Sequence, residues 1–198
     1  ERLKPDTYLA EYVGRNLGAV VALLPEFVFP GDLRRAVAAG KKLTPEQQKY
    51  YDELTRHSNY LFGLTLLHDS AIWWSALSLE STRKHYAILK EMDYASGKHR
   101  FIPYWNNGEA VRNKLHNADY ASFYLASGEV IAVLMNYGKD SDFIELELNP
   151  KKLGLTGTRF SVENLFNPEK VSLDSGKLRL EAIPPYQYRA VRIKPIEK

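Results

Sequence analysis

The chain has 198 residues, of which 44% are hydrophobic, so it can bury a substantial core as one large domain or two small ones. Its 27 basic and 24 acidic residues leave a net charge of +3 that is spread over both halves, so no nucleic-acid-binding surface is expected. Cysteine is absent, which excludes disulfides, thiolate catalysis and cysteine-based zinc sites. No apolar run reaches the roughly 18 residues of a membrane helix, so no membrane span is expected either.

The pattern of residues 1–100 predicts helices and short buried runs, which is typical of the end of a (β/α) barrel or of an open α/β sheet. After a helical pattern at residues 11–13, the apolar run 19–24 predicts a buried parallel strand, and residues 32–39 predict a helix. Thr44, Pro45 and Gln47 form a capping box that predicts a helix from residue 45 towards residue 60. The apolar run 61–67 predicts a second strand, although Gly63 also permits a continuing helix. Residues 81–97 predict an amphipathic helix that Gly97 terminates.

Residues 101–198 show a different pattern, in which short alternating segments are separated by turn residues and no helix intervenes. Strands are predicted at residues 101–104, 120–126, 130–137, 143–148, 159–165, 169–173, 178–183 and 187–193. The predicted fold class is therefore α+β, with a helical, partial βα-barrel N-terminal part followed by an antiparallel β-sandwich. We expect two units, residues 1–100 and 101–198, and no catalytic centre within the sandwich.

The first candidate site is the pair His68 and Asp69, which directly follows the apolar run 61–67. At the carboxyl end of a parallel strand, a carboxylate beside an imidazole can perform acid–base chemistry. The alternative is that both side chains only hydrogen-bond backbone groups at the end of the strand.

The second candidate site is aromatic, since the chain's three tryptophans are Trp73, Trp74 and Trp105, with Asn106 beside the last of them. Flat rings next to amide groups suit a polyhydroxylated ligand, whose C–H faces stack on aromatic rings while its hydroxyls need directed partners. The alternative is that these tryptophans pack the helical part against the sandwich.

Other site classes have no support in the sequence. The histidines show no HxH or HExxH spacing, so no metal site is predicted; they are His57, His68, His85, His99 and His116. No phosphate-binding loop, dinucleotide fingerprint or GxSxG nucleophile motif is present. We therefore predict no cofactor.

Four segments carry a resemblance to a known group of proteins. They are residues 61–69 (LFGLTLLHD), 72–74 (IWW), 101–105 (FIPYW) and 130–138 (VIAVLMNYG). In this order they resemble the C-terminal part of large bacterial glycoside-hydrolase-like proteins, in which a catalytic barrel precedes a β-sandwich, as in α-amylases and the β-N-acetylgalactosaminidase-like group. The resemblance covers residues 61–193 and is most specific between His68 and Trp105.

The resemblance implies that this chain is the C-terminal portion of a secreted or periplasmic carbohydrate-active hydrolase, whose upstream barrel belongs to the same polypeptide. Because the chain begins at Glu1 without Met, we expect it to be cut from a longer protein. Glycosidases use two carboxyl groups, and Glu26 and Asp69 are the candidates after the two apolar runs. His68, Trp73, Trp74, Trp105 and Asn106 would contact the sugar. The alternative is a non-catalytic carbohydrate-binding or structural β module.

Overall fold

The computed structural model describes residues 3–13, 22–25, 29–113, 115, 119–140, 142–167 and 171–196. Its N-terminal half is mainly helical. Helix α1 (Pro5–Tyr8) continues into a helical turn at Leu9–Val13, and strand β1 (Ala22–Leu23) and helix α2 (Gly31–Ala38) follow. The long helix α3 (Pro45–Leu67) leads through strand β2 (Ala71–Ile72) to helix α4 (Leu79–Glu91) and a 3₁₀ turn at Tyr94–Ser96.

The C-terminal half consists of two antiparallel sheets. Its elements in chain order are β3 (Arg100–Ile102), a 3₁₀ turn at Tyr104–Asn106, β4 (Asp119–Ala126), β5 (Glu129–Asn136), β6 (Asp142–Glu147), β7 (Phe160–Asn164), β8 (Val171–Asp174), β9 (Lys177–Ile183) and β10 (Gln187–Pro195). The larger sheet has the strand order β3-β4-β5-β10-β7, and the smaller sheet has the order β6-β9-β8. The predicted α+β class and the antiparallel sandwich are thus confirmed.

The two sheets enclose the first of two hydrophobic cores. Alternate residues of the larger sheet, such as Phe123, Leu134 and Val191, pack against Ile144 and Leu180 of the smaller sheet. Successive side chains of a strand point to opposite faces, so the intervening residues of the larger sheet face away from the sandwich. They need a second partner.

Helix α3 and helix α4 cover that outer face and form the second core. Phe62 and Leu66 of α3 and Ile88 of α4 pack with Val133 and Tyr188 of the larger sheet. The larger sheet is therefore buried on both faces, which explains why residues 130–135 are apolar without alternation. The second core is made by both halves of the chain, and the boundary expected between residues 100 and 101 stays a prediction.

Residues 61–67 are helical, so the strand predicted there is wrong. The capping box at Thr44 is present, and α3 runs from it without a break to Leu67. Its last carbonyls, which have no partner within the helix, accept hydrogen bonds from the sheet: Tyr124 Oη donates to the Leu66 oxygen at 2.6 Å and Ser122 Oγ to the Leu67 oxygen at 2.8 Å. The segment is apolar because a helix end buried between sheet and helices is apolar on every side.

Of the two predicted barrel strands, the one at residues 19–24 is present in part as β1, whereas its parallel partner is β2 and not residues 61–67. β1 pairs in parallel with β2, with Ala22 opposite Ala71 and Leu23 opposite Ile72. The part of the predicted run 19–24 that precedes Ala22 lies outside the described residues. Since β2 begins only at Ala71, His68 and Asp69 precede this strand instead of following one.

Gly63 marks the closest approach of α3 to the larger sheet. A Cβ atom at this position would lie 2.8 Å from Cβ and Cδ1 of Tyr188, whose side chain is fully buried in β10. Contacts this short force the helix and strand apart. Gly63 thus allows close packing and does not interrupt the helix.

We predict that Gly63→Ala lowers the free energy of unfolding by about 1–2 kcal/mol. Overpacking costs about 1–3 kcal/mol, and the better helix propensity of alanine offsets up to about 1 kcal/mol. Gly31→Ala is the matched control, because a Cβ on this α2 glycine meets only Arg35 at 3.7 Å. Urea denaturation of both variants measures the difference, and a Gly63→Ala protein as stable as wild type would contradict the close approach.

His85 of α4 is a buried titratable residue in the helical layer. Its ring stacks on Phe62 with centroids 4.2 Å apart and an angle of 20°. Burial lowers the pKa of His85 to about 3, so the folded protein keeps the ring neutral at physiological pH. In the unfolded chain the same ring takes up a proton below about pH 6.5.

The folded protein should accordingly lose stability in mild acid through His85. Because its folded pKa lies below the unfolded value, its contribution is complete above about pH 6.5 and falls by about 1.4 kcal/mol per pH unit towards pH 3. The free energy of unfolding, measured by urea denaturation, should decrease between pH 7.5 and pH 5. This decrease should be about 2 kcal/mol smaller in His85→Phe than in wild type. Equal losses in His85→Phe and wild type would refute the prediction.

Candidate functional site

Two of the candidate residues, His68 and Trp105, lie where α1, the C-terminal end of α3 and the 3₁₀ turn at Tyr104–Asn106 meet. Hydrogen bonds hold this turn against α3: Ser122 Oγ accepts the Tyr104 N–H at 2.9 Å while it donates to the Leu67 carbonyl. A single buried hydroxyl therefore links the larger sheet, the helix end and the turn. This arrangement brings His68 and Trp105 together across the junction of the two halves.

His68 is buried at the centre of this junction. Its Nδ1 lies 2.7 Å from the Leu64 carbonyl oxygen, and its Nε2 lies 3.1 Å from the Pro5 carbonyl oxygen. Burial lowers the pKa of His68, and the two carbonyls and the Asp6 carboxylate oppose this shift. A neutral imidazole carries one N–H, so it donates to one of these carbonyls. Both ring nitrogens face the protein's own backbone, which ties α1 to the end of α3.

Three aromatic rings surround the His68 imidazole. Tyr8 and Tyr104 contact it edge-on, with centroids at 4.8 and 5.3 Å, and Trp105 stacks on it at 5.5 Å. Trp105 is nevertheless 44% exposed, and Asn106 next to it is also exposed. Trp105 therefore covers His68 with one face and remains open to a ligand or partner.

Asp69 points to a different cluster from its neighbour. Its backbone has a φ of 52°, and its Oδ1 accepts a hydrogen bond of 2.8 Å from Tyr94 Oη. His99 Nε2 lies 3.6 Å from the same oxygen, and the His99 ring stacks on Tyr94 with centroids 4.8 Å apart. Burial and the Asp69 charge raise the pKa of Tyr94, so its hydroxyl stays protonated and donates. Asp69 thus holds the segment after α4 against the end of α3.

The tryptophans that follow β2 are exposed. Trp73 is 60% and Trp74 is 42% exposed, and Leu24, directly after β1, is 68% exposed. The Trp73 N–H donates to the Leu23 carbonyl at 2.9 Å, and the Arg34 guanidinium lies 6.0 Å from the Trp74 ring centroid. The carboxyl ends of the two parallel strands therefore present large apolar side chains at one place.

The structure also reveals a carboxylate that the sequence analysis missed. Tyr104 Oη donates to Oδ1 of Asp6 at 3.1 Å, and Tyr120 Oη donates to Oδ2 at 3.2 Å. Burial and the Asp6 charge raise the pKa of both tyrosines. Asp6 opens onto a pocket of about 380 Å³ that Asn107 and Asp119 also line. No sequence pattern could have indicated this cluster, because Asp6 lies 98 residues from Tyr104 and 114 from Tyr120.

Glu26 lies outside the described residues, so the structure gives no distance between its carboxyl group and that of Asp69. Among the residues that the structure does describe, no group of three or more histidine, aspartate or glutamate side chains could hold a metal ion. In the same part of the chain, no helix is long and apolar enough to cross a membrane.

The arrangement offers two kinds of contact to a ligand. The exposed rings of Trp73, Trp74 and Trp105 can stack on apolar faces. The Asp6 and Asp69 carboxylates each have tyrosine donors and retain lone pairs for further hydroxyl donors.

No protein-family model matches this chain, and no curated protein matches it. Its structure is similar to parts of several solved glycoside hydrolases. A GH27 β-L-arabinopyranosidase from Geobacillus stearothermophilus aligns with 71% of this chain and 31% of its own, at 14% identity and a TM-score of 0.45. An α-N-acetylgalactosaminidase candidate from Bacillus halodurans aligns over 72% and 33%, at 14% identity and a TM-score of 0.47. An Anoxybacillus α-amylase aligns over 90% and 39%, at 10% identity and a TM-score of 0.44.

The chain thus spans 31% to 39% of the length of these three structures. The resemblance stated from the sequence was to glycoside hydrolases, and all three structures are of glycoside hydrolases.

We predict that the Asp69 carboxylate stabilises the fold through Tyr94. Asp69→Ala leaves the half-buried Tyr94 hydroxyl without its acceptor and should lower the free energy of unfolding by about 1–3 kcal/mol. Asp93→Ala is the control, because Asp93 also has a positive φ, of 48°, but makes no side-chain capping hydrogen bond. Thermal and urea denaturation should show that Asp69→Ala loses about 1 kcal/mol more of the free energy of unfolding than Asp93→Ala does. Equal losses would mean that only backbone conformation matters at residue 69.

Proposed function

We propose that this chain is the C-terminal portion of a carbohydrate-active glycoside hydrolase, in which the sandwich is an accessory unit that supports a sugar-binding barrel. The observation that carries the proposal is the parallel pairing of β1 with β2. The helices α2 and α3 lie between these strands in the chain, as crossover helices do in a βα sheet.

A parallel pair of two residues per strand does not form a stable sheet by itself. Parallel sheets are found buried on both faces and are rarely so small. Here Ala22 and Ala71 are exposed, as are Leu24, Trp73 and Trp74 beside the strand ends. These features fit the last strands of a larger parallel sheet whose other strands would cover them.

The candidate residues near β2 fall into two groups, those that precede its amino end and those that follow its carboxyl end. Ligands of parallel-stranded barrels bind at the carboxyl ends of the strands. Trp73 and Trp74 follow the carboxyl end of β2, whereas His68 and Asp69 precede its amino end. We therefore propose Trp73 and Trp74 as sugar-contacting residues, with Glu26 as a candidate carboxylate because it follows β1 in the sequence. The geometry favours a tethering role for Asp69 over a catalytic one.

A second function is favoured by the exposure of all three tryptophans. A non-catalytic carbohydrate-binding module needs accessible rings and no carboxylate pair. Trp73, Trp74 and Trp105 satisfy this need, since each is at least 42% exposed. The two functions differ in whether the polypeptide that carries this chain hydrolyses glycosides.

The decisive experiment compares the longer polypeptide with the chain alone on a panel of aryl glycosides and oligosaccharides. We expect turnover by the longer polypeptide and none by the chain. Trp73→Ala should raise the KM of the longer polypeptide about tenfold, which is the effect of losing one ring contact. Phe143→Ala, which removes an exposed ring from the smaller sheet, is the matched control and should leave KM unchanged.

Two outcomes would contradict the proposal. One is a longer polypeptide that binds sugars and hydrolyses none, which would favour the binding module. The other is turnover by the chain alone that disappears in Asp69→Asn, because the active site would then be complete within these residues.

A further inference from the structure

Helix α2 places a cationic side chain beside the exposed tryptophans that follow β2. The Arg34 guanidinium lies 6.0 Å from the centroid of the Trp74 ring, and Trp74 is 42% exposed. This distance is the outer limit of a cation–π attraction, so the guanidinium is not stacked tightly on the indole. Arg34 is half-buried, and none of its side-chain nitrogens is fully buried without a partner. Its N–H donors are therefore open to a ligand.

The charge of Arg34 has no counterion in the described part of the chain. No ion pair or side-chain hydrogen bond joins it to a described residue. Asp32 on the same helix is two positions away, so it faces a different direction. The positions three and four residues from Arg34 hold no carboxylate; they are Pro30, Gly31, Val37 and Ala38. A half-buried cation has lost part of its hydration, and an anionic ligand would compensate for that loss.

Another partly buried arginine of this protein is paired with carboxylates. Only 12% of the Arg192 side chain is exposed, and its guanidinium forms ion pairs with Glu91 and with Glu163. Arg34 thus differs from Arg192 in having a cation and an adjacent exposed ring but no carboxylate among the described residues.

Arg34 also lies on the side of the β1–β2 pair where ligands of parallel-stranded barrels bind. β1 ends at Leu23, and α2 is part of the connection that leaves the carboxyl end of this strand and leads to α3. Connections of this kind form the ligand site in such barrels. Residues 31–42 of this connection hold one acidic residue, Asp32, and the basic residues Arg34, Arg35, Lys41 and Lys42. The charge of the connection therefore attracts anions.

Two kinds of contact are available to a sugar at this place. The apolar C–H face of a pyranose can stack on the exposed rings of Trp73 and Trp74. The planar guanidinium of Arg34 matches a carboxylate, which accepts two parallel N–H bonds from it. A neutral sugar would leave the charge of Arg34 unpaired, and a small anion without a sugar ring would leave the indole faces uncovered.

We propose that the sugar contacted by Trp73 and Trp74 carries a carboxylate group, as a uronic acid does, and that Arg34 binds this group. This inference rests on the proposed sugar-contacting role of the two tryptophans and adds the class of sugar to it.

The test is a titration of the purified chain with sodium glucuronate, glucose and sodium acetate at equal ionic strength. The indole N–H signals of Trp73 and Trp74 in ¹H–¹⁵N NMR spectra, assigned with Trp73→Phe and Trp74→Phe, report the binding. Glucuronate should shift both signals saturably at millimolar concentrations, as expected for so small a ligand. Glucose should bind about tenfold more weakly, because it lacks the charge-assisted hydrogen bonds. Acetate should also bind more weakly, because it has no ring to stack.

Two arginine variants identify the group that recognises the carboxylate. Arg34→Gln should lower the affinity for glucuronate about tenfold and leave the affinity for glucose unchanged. Arg35→Gln is the matched control, because it removes the same charge from the neighbouring exposed position, which has no aromatic contact among the described residues. It should retain the wild-type affinity for glucuronate. Circular dichroism verifies that both variants are folded, and galacturonate with galactose repeats the comparison for a second sugar configuration.

Several results would overturn this inference. They are equal affinities for glucuronate and glucose, equal affinities of Arg34→Gln and wild type for glucuronate, acetate binding as tight as that of glucuronate, and no saturable shift with any sugar. The proposed function is judged separately, by the turnover of aryl glycosides by the longer polypeptide. Turnover there combined with equal binding of glucuronate and glucose here would refute the acidic sugar alone. Preference for glucuronate without any turnover would refute the hydrolase alone.

Discussion

The packing of α3 across the larger sheet is the interaction on which the rest of the structure depends. Gly63 lets the helix approach Tyr188 closely, and the sheet hydroxyls of Ser122 and Tyr124 satisfy the carbonyls at the helix end. Without this contact one face of the larger sheet would be exposed to water, and α4 would lose the surface on which it packs. The helical half and the sandwich are therefore joined by a common core and by buried hydrogen bonds.

The same helix end explains why two adjacent polar residues have different surroundings. His68 faces the backbone of α1, whereas Asp69, with its left-handed backbone conformation, faces Tyr94 and His99. Each side chain fastens a different segment to α3.

Much of the fold could be predicted from the sequence, and the failures have physical causes. The strands of the sandwich were predicted within a few residues, because alternation and turn residues such as Gly128 and Gly176 are local signals. Residues 61–67 were assigned to a strand because a helix buried on all sides loses its periodicity, and only tertiary contacts reveal it. The Asp6 cluster was missed for the same reason, since Tyr104 and Tyr120 reach it only in the folded chain. The exposure of Trp73 could not be predicted either, because the sequence alone does not show whether this side chain points towards the core or towards the surface.

The strand order of the larger sheet has a consequence for how the protein is made. β10 is the last strand in the described part of the chain, yet it lies between β5 and β7. Until it emerges from the ribosome, β5 has an open edge, and α3 lacks Tyr188, against which Gly63 packs. The β4–β5 hairpin can form early because its contacts are local, whereas the sheet closes only through long-range pairing. Nascent chains should therefore remain incompletely folded and in need of protection from aggregation until residues 187–195 are available.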